Sequence, residues 1–141
     1  MKIFSKQEKG EKVFSTEVIV DTFAWIEYFA GTERGEKAKS FIESGGAITP
    51  ALVVAEFTDK YVRERMDPNP RLKFMRTKTM IMPLDDEIAE AAGRISAERR
   101  RKVKRWGLVD SCVLATARTR GVKVVTGDEH FDDLKGETVR I

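Results

Sequence analysis

The sequence predicts an α/β fold, a three-layer α/β/α sandwich around a central, mainly parallel sheet. Three observations predict it. VIVD at 18–21 and VKVVTGD at 122–128 open as short apolar runs without polar alternation, as strands buried on both faces do. The segments between them repeat their apolar residues at helical spacing. Strand-like and helix-like segments alternate, and glycine or proline separates them, which is the order that gives crossover connections and a parallel sheet.

The first 17 residues are polar and weakly patterned, with a short edge strand expected at 13–14. They are read as an N-terminal extension (1–17) to a domain covering 18–141. VIVD is the first buried strand. From 22 to 30, Ala24, Trp25, Tyr28 and Phe29 share a helical face, and Gly31 ends that helix. GEKAKSFIESGG (35–46) is a second helix, stopped by Gly45 and Gly46. AIT (47–49) is a strand, and Pro50 suits the first turn of the helix ALVVAEFTDKYVRERM. DPNP (67–70) breaks the chain. RLKFMRTKTM is helical and IMPL is a strand. DDEIAEAAGRISAERR is helical, with Ile88, Ala91, Ala92 and Ile95 on one face. VDSCVLATARTRG is a helix closed by Gly121, VKVVTGD is a strand, and ETVRI is a last short one.

The totals set limits. A chain of 141 residues and 16.0 kDa makes one domain with room for a core. With 41% hydrophobic and 35% charged residues it reads as soluble and heavily ionised. No apolar run is long enough to span a bilayer, and MKIFSKQEKGEK is too polar for a secretory leader, so no membrane role and a cytoplasmic location are expected. The single cysteine, Cys112, excludes an internal disulfide and reads as a packing residue of an apolar helix. A net charge of +3 is too small an excess to indicate nucleic acid by itself. One Asn and one Gln among many Lys, Arg and Glu suit a thermophile.

In parallel sheets the ligand crevice lies outside the carboxyl ends of the strands. Asp21 ends the first strand, and Asp128 follows the strand VKVVT across Gly127. Asp110 opens the helix DSCVLATA, and Glu56 interrupts the apolar turn VVAEF. Each has an ordinary explanation. Asp110 and Asp21 could cap helices, Asp128 could be a turn residue, and Glu56 could be half-exposed or ion-paired. Taken together, four carboxylates in one crevice repel: two unit charges about 4 Å apart cost roughly 4 kcal/mol at an effective dielectric near 20. A cation, or protons held at raised pKa, would make them tolerable. An all-oxygen site suits Mg²⁺ or Mn²⁺, ions that serve phosphodiester hydrolysis.

VIVDTFAWIEYFAG, ALVVAEF, GLVDSCVLATA and VVTGDEHF, in this order and spacing, resemble the PIN domain family, and within it the small VapC-type ribonuclease toxins. The resemblance runs from about residue 18 to the C-terminus. It implies a PIN-like nuclease domain at 18–141 in which Asp21, Glu56, Asp110 and Asp128 form the acidic catalytic and metal-binding quartet. Thr22 and Thr126 match hydroxyl positions flanking the acids, and His130 with Phe131 matches the ending of the fourth motif, in a supporting role. It further implies Mg²⁺- or Mn²⁺-dependent hydrolysis of RNA, leaving a 5′ phosphate, and a homodimer neutralised by a small antitoxin. Phe23 departs from the pattern, which often has a small polar residue there.

ERRRKVKRWG places six cations, Arg99, Arg100, Arg101, Lys102, Lys104 and Arg105, just ahead of Asp110. They read either as a solvated helix end or as a patch holding the RNA backbone. Trp106 reads as a helix-docking aromatic or a base-stacking one. Asp132 and Asp133 read as a solvated turn or as outer carboxylates of the site. With His130 as the only histidine, the two-imidazole scheme of metal-free ribonucleases is excluded. No phosphate-binding GxxxxGK[ST] loop or zinc ligand set is present. Asp85 and Asp86 after IMPL are explained by the first turn of a helix. Two other readings stay open: a PIN-like module that binds RNA or protein without cutting, and an aspartyl phospho-acceptor domain.

Overall fold

The computed structural model describes residues 17–141 throughout and, ahead of them, the strand backbones of Lys2–Ser5 and Lys12–Ser15. These two strands, β1 and β2, pair antiparallel in a small sheet of their own. The edge strand expected at 13–14 therefore belongs to a separate ribbon and not to the main sheet.

The main sheet has five strands: β3 (Val18–Val20), β4 (Ala47–Pro50), β5 (Met80–Met82), β6 (Lys123–Thr126) and β7 (Thr138–Arg140). Their spatial order is β5-β4-β3-β6-β7, and every pairing is parallel. Helices α1 (Thr22–Ala30), α2 (Glu33–Ile42), α3 (Ala51–Arg63), α4 (Asn69–Lys78), α5 (Asp86–Arg99) and α6 (Leu108–Arg120) supply the connections and cover the sheet. This is the predicted α/β/α sandwich. The central strands are largely apolar because both their faces are covered: Val18, Ile19, Val20, Ile48, Val124 and Val125 are all buried, and of β3, β4 and β6 only Lys123 is exposed. Helix α6 is buried at every position from Ser111 to Ala117, so the segment read as an apolar helix lies deep in the sandwich.

Helix boundaries follow local chemistry. Gly31 and Gly121 end α1 and α6 in the left-handed region, at φ 69° and 66°, where a side chain would be strained. Helix α2 begins at Glu33, ahead of the expected start, because the Thr32 hydroxyl accepts from Gly35 N at 3.0 Å. Asp85 caps α5 through a bond from Ile88 N at 2.8 Å, which accounts for the Asp85–Asp86 pair structurally. Among the described residues no helix is long and apolar enough to cross a membrane.

Strand order decides where a site can form. From β3 the chain moves outward through β4 to β5, then returns to the other side of β3 for β6 and β7. The direction of winding reverses between β3 and β6. In open parallel sheets the ligand crevice lies outside the carboxyl ends of the strands at such a reversal. Asp21 follows β3 directly, and Asp128 follows β6 by one residue.

Candidate active site

Three acids lie near this reversal, each in a first helical turn. Asp110 and Asp128 are within reach of a shared ion, and Asp21 is outside that group but close enough to feel both charges. Asp21 is the N-cap of α1, with Oδ1 accepting from Ala24 N at 2.9 Å. Asp128 caps the one-turn 3-10 helix Glu129–Phe131, with Oδ1 accepting from His130 N at 2.9 Å. Asp110 sits at the third position of α6 and not at its cap. Gly107 is the cap, and Asp110 Oδ2 reaches back to accept from Gly107 N at 3.1 Å. The capping explanations are thus locally valid for Asp21 and Asp128. They account for only one oxygen of each carboxylate.

His130 joins the acids. Its Nδ1 lies 3.0 Å from Asp110 Oδ2 and 3.7 Å from Asp128 Oδ1. One ligand atom from each of Asp110, Asp128 and His130 falls within 4.8 Å of the others. Thr126, fully buried, accepts from Asp128 N at 3.0 Å and makes a side-chain hydrogen bond to Asp21. That hydroxyl ties the first and last acids together across the β3–β6 pairing.

The electrostatics follow from burial. Asp21 is 5% exposed, and its carboxyl is pushed up to about 7. Burial raises it most, the Thr126 and Ala24 hydrogen bonds offset part of that, and the charges of Asp128 and Asp110 raise it again. Burial also lifts Asp110, against the pull of Gly107 N and His130. Among the described residues no lysine or arginine forms an ion pair with Asp21, Asp110 or Asp128. The Thr22 hydroxyl beside them is buried without a hydrogen-bond partner. Carboxylates without a cationic partner, next to an orphaned hydroxyl, fit a hydrated hard cation.

The other expected residues are placed differently. Glu56 is exposed on α3, between buried Val53 and Phe57, and is outside the Asp110–Asp128–His130 group. The basic run divides. Arg100, Arg101, Lys102, Lys104 and Arg105 are exposed. Arg99, expected with the others as an RNA contact, is buried apart from them. It is 5% exposed, forks onto both oxygens of Asp133 at 2.8 Å, donates to His130 O at 2.9 Å and lies 4.3 Å over the Trp106 ring. Trp106 is a buried docking aromatic, bonded to Ser111 Oγ at 2.7 Å and packed on Phe131. Asp132 and Asp133 are ion-paired with Arg140 and Arg99, so neither is the free outer carboxylate considered above.

Sequence reasoning missed Arg34 and Arg140, which flank the groove beside Asp128, and the contact of Phe23 with Gly127. Only the unusual Phe23 gave any signal of them.

Comparison with known families adds identity to this geometry. The family profile of the PIN domain matches residues 18–137. The chain belongs to the PIN domain family. Solved structures with this PIN fold include a toxin–antitoxin complex from Klebsiella pneumoniae, 18% identical, with a TM-score of 0.68 over 89% of this chain and 100% of that one. DNA-bound VapBC from Salmonella typhimurium is 21% identical, with a TM-score of 0.66 over 88% and 97%. VapC20 from Mycobacterium tuberculosis, a sarcin–ricin loop cleaving toxin, is 20% identical, with a TM-score of 0.66 over 84% and 95%. At these identities the likeness establishes a shared fold. No curated protein sequence matches the chain at a significant level.

Proposed function

We propose that this PIN domain is a divalent-metal-dependent endoribonuclease, the toxin of a type II toxin–antitoxin pair. The observation that carries the reading is Asp21, buried beside Asp110 and Asp128 with no cationic partner among the described residues and raised to about 7. Such a carboxylate destabilises a fold unless a positive ion compensates it. Asp21, Asp110 and Asp128 would hold that ion, and Glu56 is assigned to the same group on the family resemblance. Mg²⁺ or Mn²⁺, when bound, supplies positive charge for the attacking and leaving oxygens of an in-line displacement.

The chain's own residues set up the rest. His130 fixes the Asp110 carboxylate, Thr126 fixes Asp21 against the turn of Asp128, and Thr22 offers its hydroxyl beside them. A carboxylate of the cluster takes the proton of the attacking water, and the 3′ oxygen leaves. Arg100, Arg101, Lys102, Lys104 and Arg105 remain as exposed contacts for the RNA backbone. The toxin–antitoxin complexes among the structural relatives support an antitoxin partner, and its place over the acidic cleft of a homodimer is assigned on the family resemblance.

The test is cleavage of RNA with Mn²⁺ present, for wild type, Asp21→Asn and Asp110→Asn. The wild type should cut, each variant should lose at least about a hundredfold in rate, and EDTA should abolish activity. Equal residual cleavage in all three proteins would refute the mechanism.

A further inference from the structure

Asp128 and His130 of the cluster line a groove of about 590 Å³ together with Phe23, Arg34, Gly127 and Arg140. Its acids repel a phosphodiester, so an RNA backbone crossing it needs a cation on the groove wall. Two arginines reach the wall. Arg140 is committed: Nη1 donates to Asp128 O at 2.9 Å and Nη2 to Asp132 Oδ1 at 2.6 Å. Arg34 is not. It is exposed on the first turn of α2, has no carboxylate partner among the described residues, and makes one long bond, 3.4 Å, to Gly127 O.

Arg34 is nevertheless aimed. Its guanidinium lies 5.5 Å over the Phe23 ring. That ring is pressed on the backbone of Gly127, where an added Cβ would come within 2.5 Å of Phe23 Cε1. A side chain at Gly127 would have to push that ring aside. The shelf thus lies against the turn that carries Asp128, one residue on, and two residues after Asp21. The long bond to a carbonyl is one that a phosphate readily replaces, since charge-assisted bonds to a phosphate are shorter and stronger.

We propose that Arg34 binds a phosphate of the RNA backbone beside the acid cluster, with Phe23 as the positioning residue that holds the guanidinium over the groove. The aromatic side chain where the family often has a small polar one thus positions a substrate contact of this chain. The inference rests on the nuclease reading.

The test separates binding from cutting. Asp110→Asn protein in EDTA is titrated with a short fluorescein-labelled single-stranded RNA of mixed sequence, at several KCl concentrations. Adding Arg34→Ala should weaken binding about fivefold and reduce the slope of log affinity against log salt by about 0.7, the loss of one phosphate contact. Arg34→Lys should keep the slope. Phe23→Leu should weaken binding with the slope retained, and Phe23→Tyr should restore it. Unchanged affinity and slope in Arg34→Ala overturn the proposal, and so does a failure of the RNA to bind. If wild type cleaves while Arg34→Ala binds normally, the Arg34 assignment alone is wrong. If wild type does not cleave but Arg34 sets the slope, the contact stands and the nuclease reading falls.

Discussion

Asp21 and Glu56 are acids of motifs that follow neighbouring strands, and Arg99 and Arg34 are cations beside the same cluster, yet each pair divides. Asp21 and Arg99 are buried, and Glu56 and Arg34 are exposed. Burial gives the two buried residues opposite fates. Arg99 satisfies two carboxylate oxygens, a carbonyl and an aromatic face. Asp21 has only a hydroxyl, an amide and two repelling neighbours. A buried charge held by an opposite charge is tolerated in the fold, and one held only by neutral groups beside like charges is costly. The exposed pair, free of such constraint, can serve only through what binds from solution.

The largest expected effect tests Asp21. Its carboxyl stands at about 7 in the folded protein against 3.8 unfolded. Below the lower value both states are protonated and burial of the group is tolerated. As pH rises from there through about 7 the folded state loses that advantage, and above it the loss is complete. At about 1.4 kcal/mol per pKa unit the loss is about 4 kcal/mol. Denaturant unfolding in EDTA should therefore find Asp21→Asn more stable than wild type at about pH 8, by up to that amount, and the gap should close toward about pH 4. Adding Mg²⁺ should stabilise wild type and leave the variant nearly unmoved. A gap constant with pH would mean that the substitution acts through packing and not through charge.

Arg99 should behave as the converse. Arg99→Ala should destabilise by about 3 kcal/mol in the same unfolding experiment, the low end for breaking a buried pair, because Asp133 is half-exposed and can hydrate. The loss should change little across the range in which Asp21 titrates. Arg99 holds the His130 carbonyl, so the variant should also loosen the Glu129–Phe131 turn, visible as faster amide exchange at His130 and Phe131. Unchanged stability would return Arg99 to the surface run that the sequence suggests.

The division also explains what could be read from sequence. Strand and helix order was legible because VIV and VVT carry no polar alternation and the helices between them keep their period. Asp21 and Asp128 were legible as site candidates because a parallel sheet places strand ends on one crevice. The local errors have local causes: Thr32 starts α2 early, and Gly107 takes the cap that Asp110 seemed to hold. Arg99 was illegible among six cations, since its partner Asp133 is 34 residues away and Trp106 closes over it only in the fold. Arg34 meets Gly127 across 93 residues, and no periodicity encodes that.

Glu56 sharpens the exposed half of the comparison. Glu56→Gln should shift stability by no more than about 0.5 kcal/mol, as surface changes do. If Glu56 belongs to the ion-holding group, the Mn²⁺ concentration for half-maximal cleavage should rise about tenfold or more, with the rate recovered at saturating metal. An unaltered metal dependence would reduce the group to the three acids that the fold brings together.

The smallest effects belong to the exposed cations. Arg101→Ala and Lys104→Ala should each leave the melting temperature unchanged and weaken RNA binding uniformly across sequences, each lowering the salt slope by about 0.7. Arg99→Ala, though drawn from the same run, should leave the slope alone, because its guanidinium is already committed to Asp133 and His130. Measuring the three variants side by side sets burial against position in the chain. If all three lower the slope equally, the run acts as a single patch and burial is the wrong criterion; if only the exposed residues do, RNA is held by the cations that the fold leaves free.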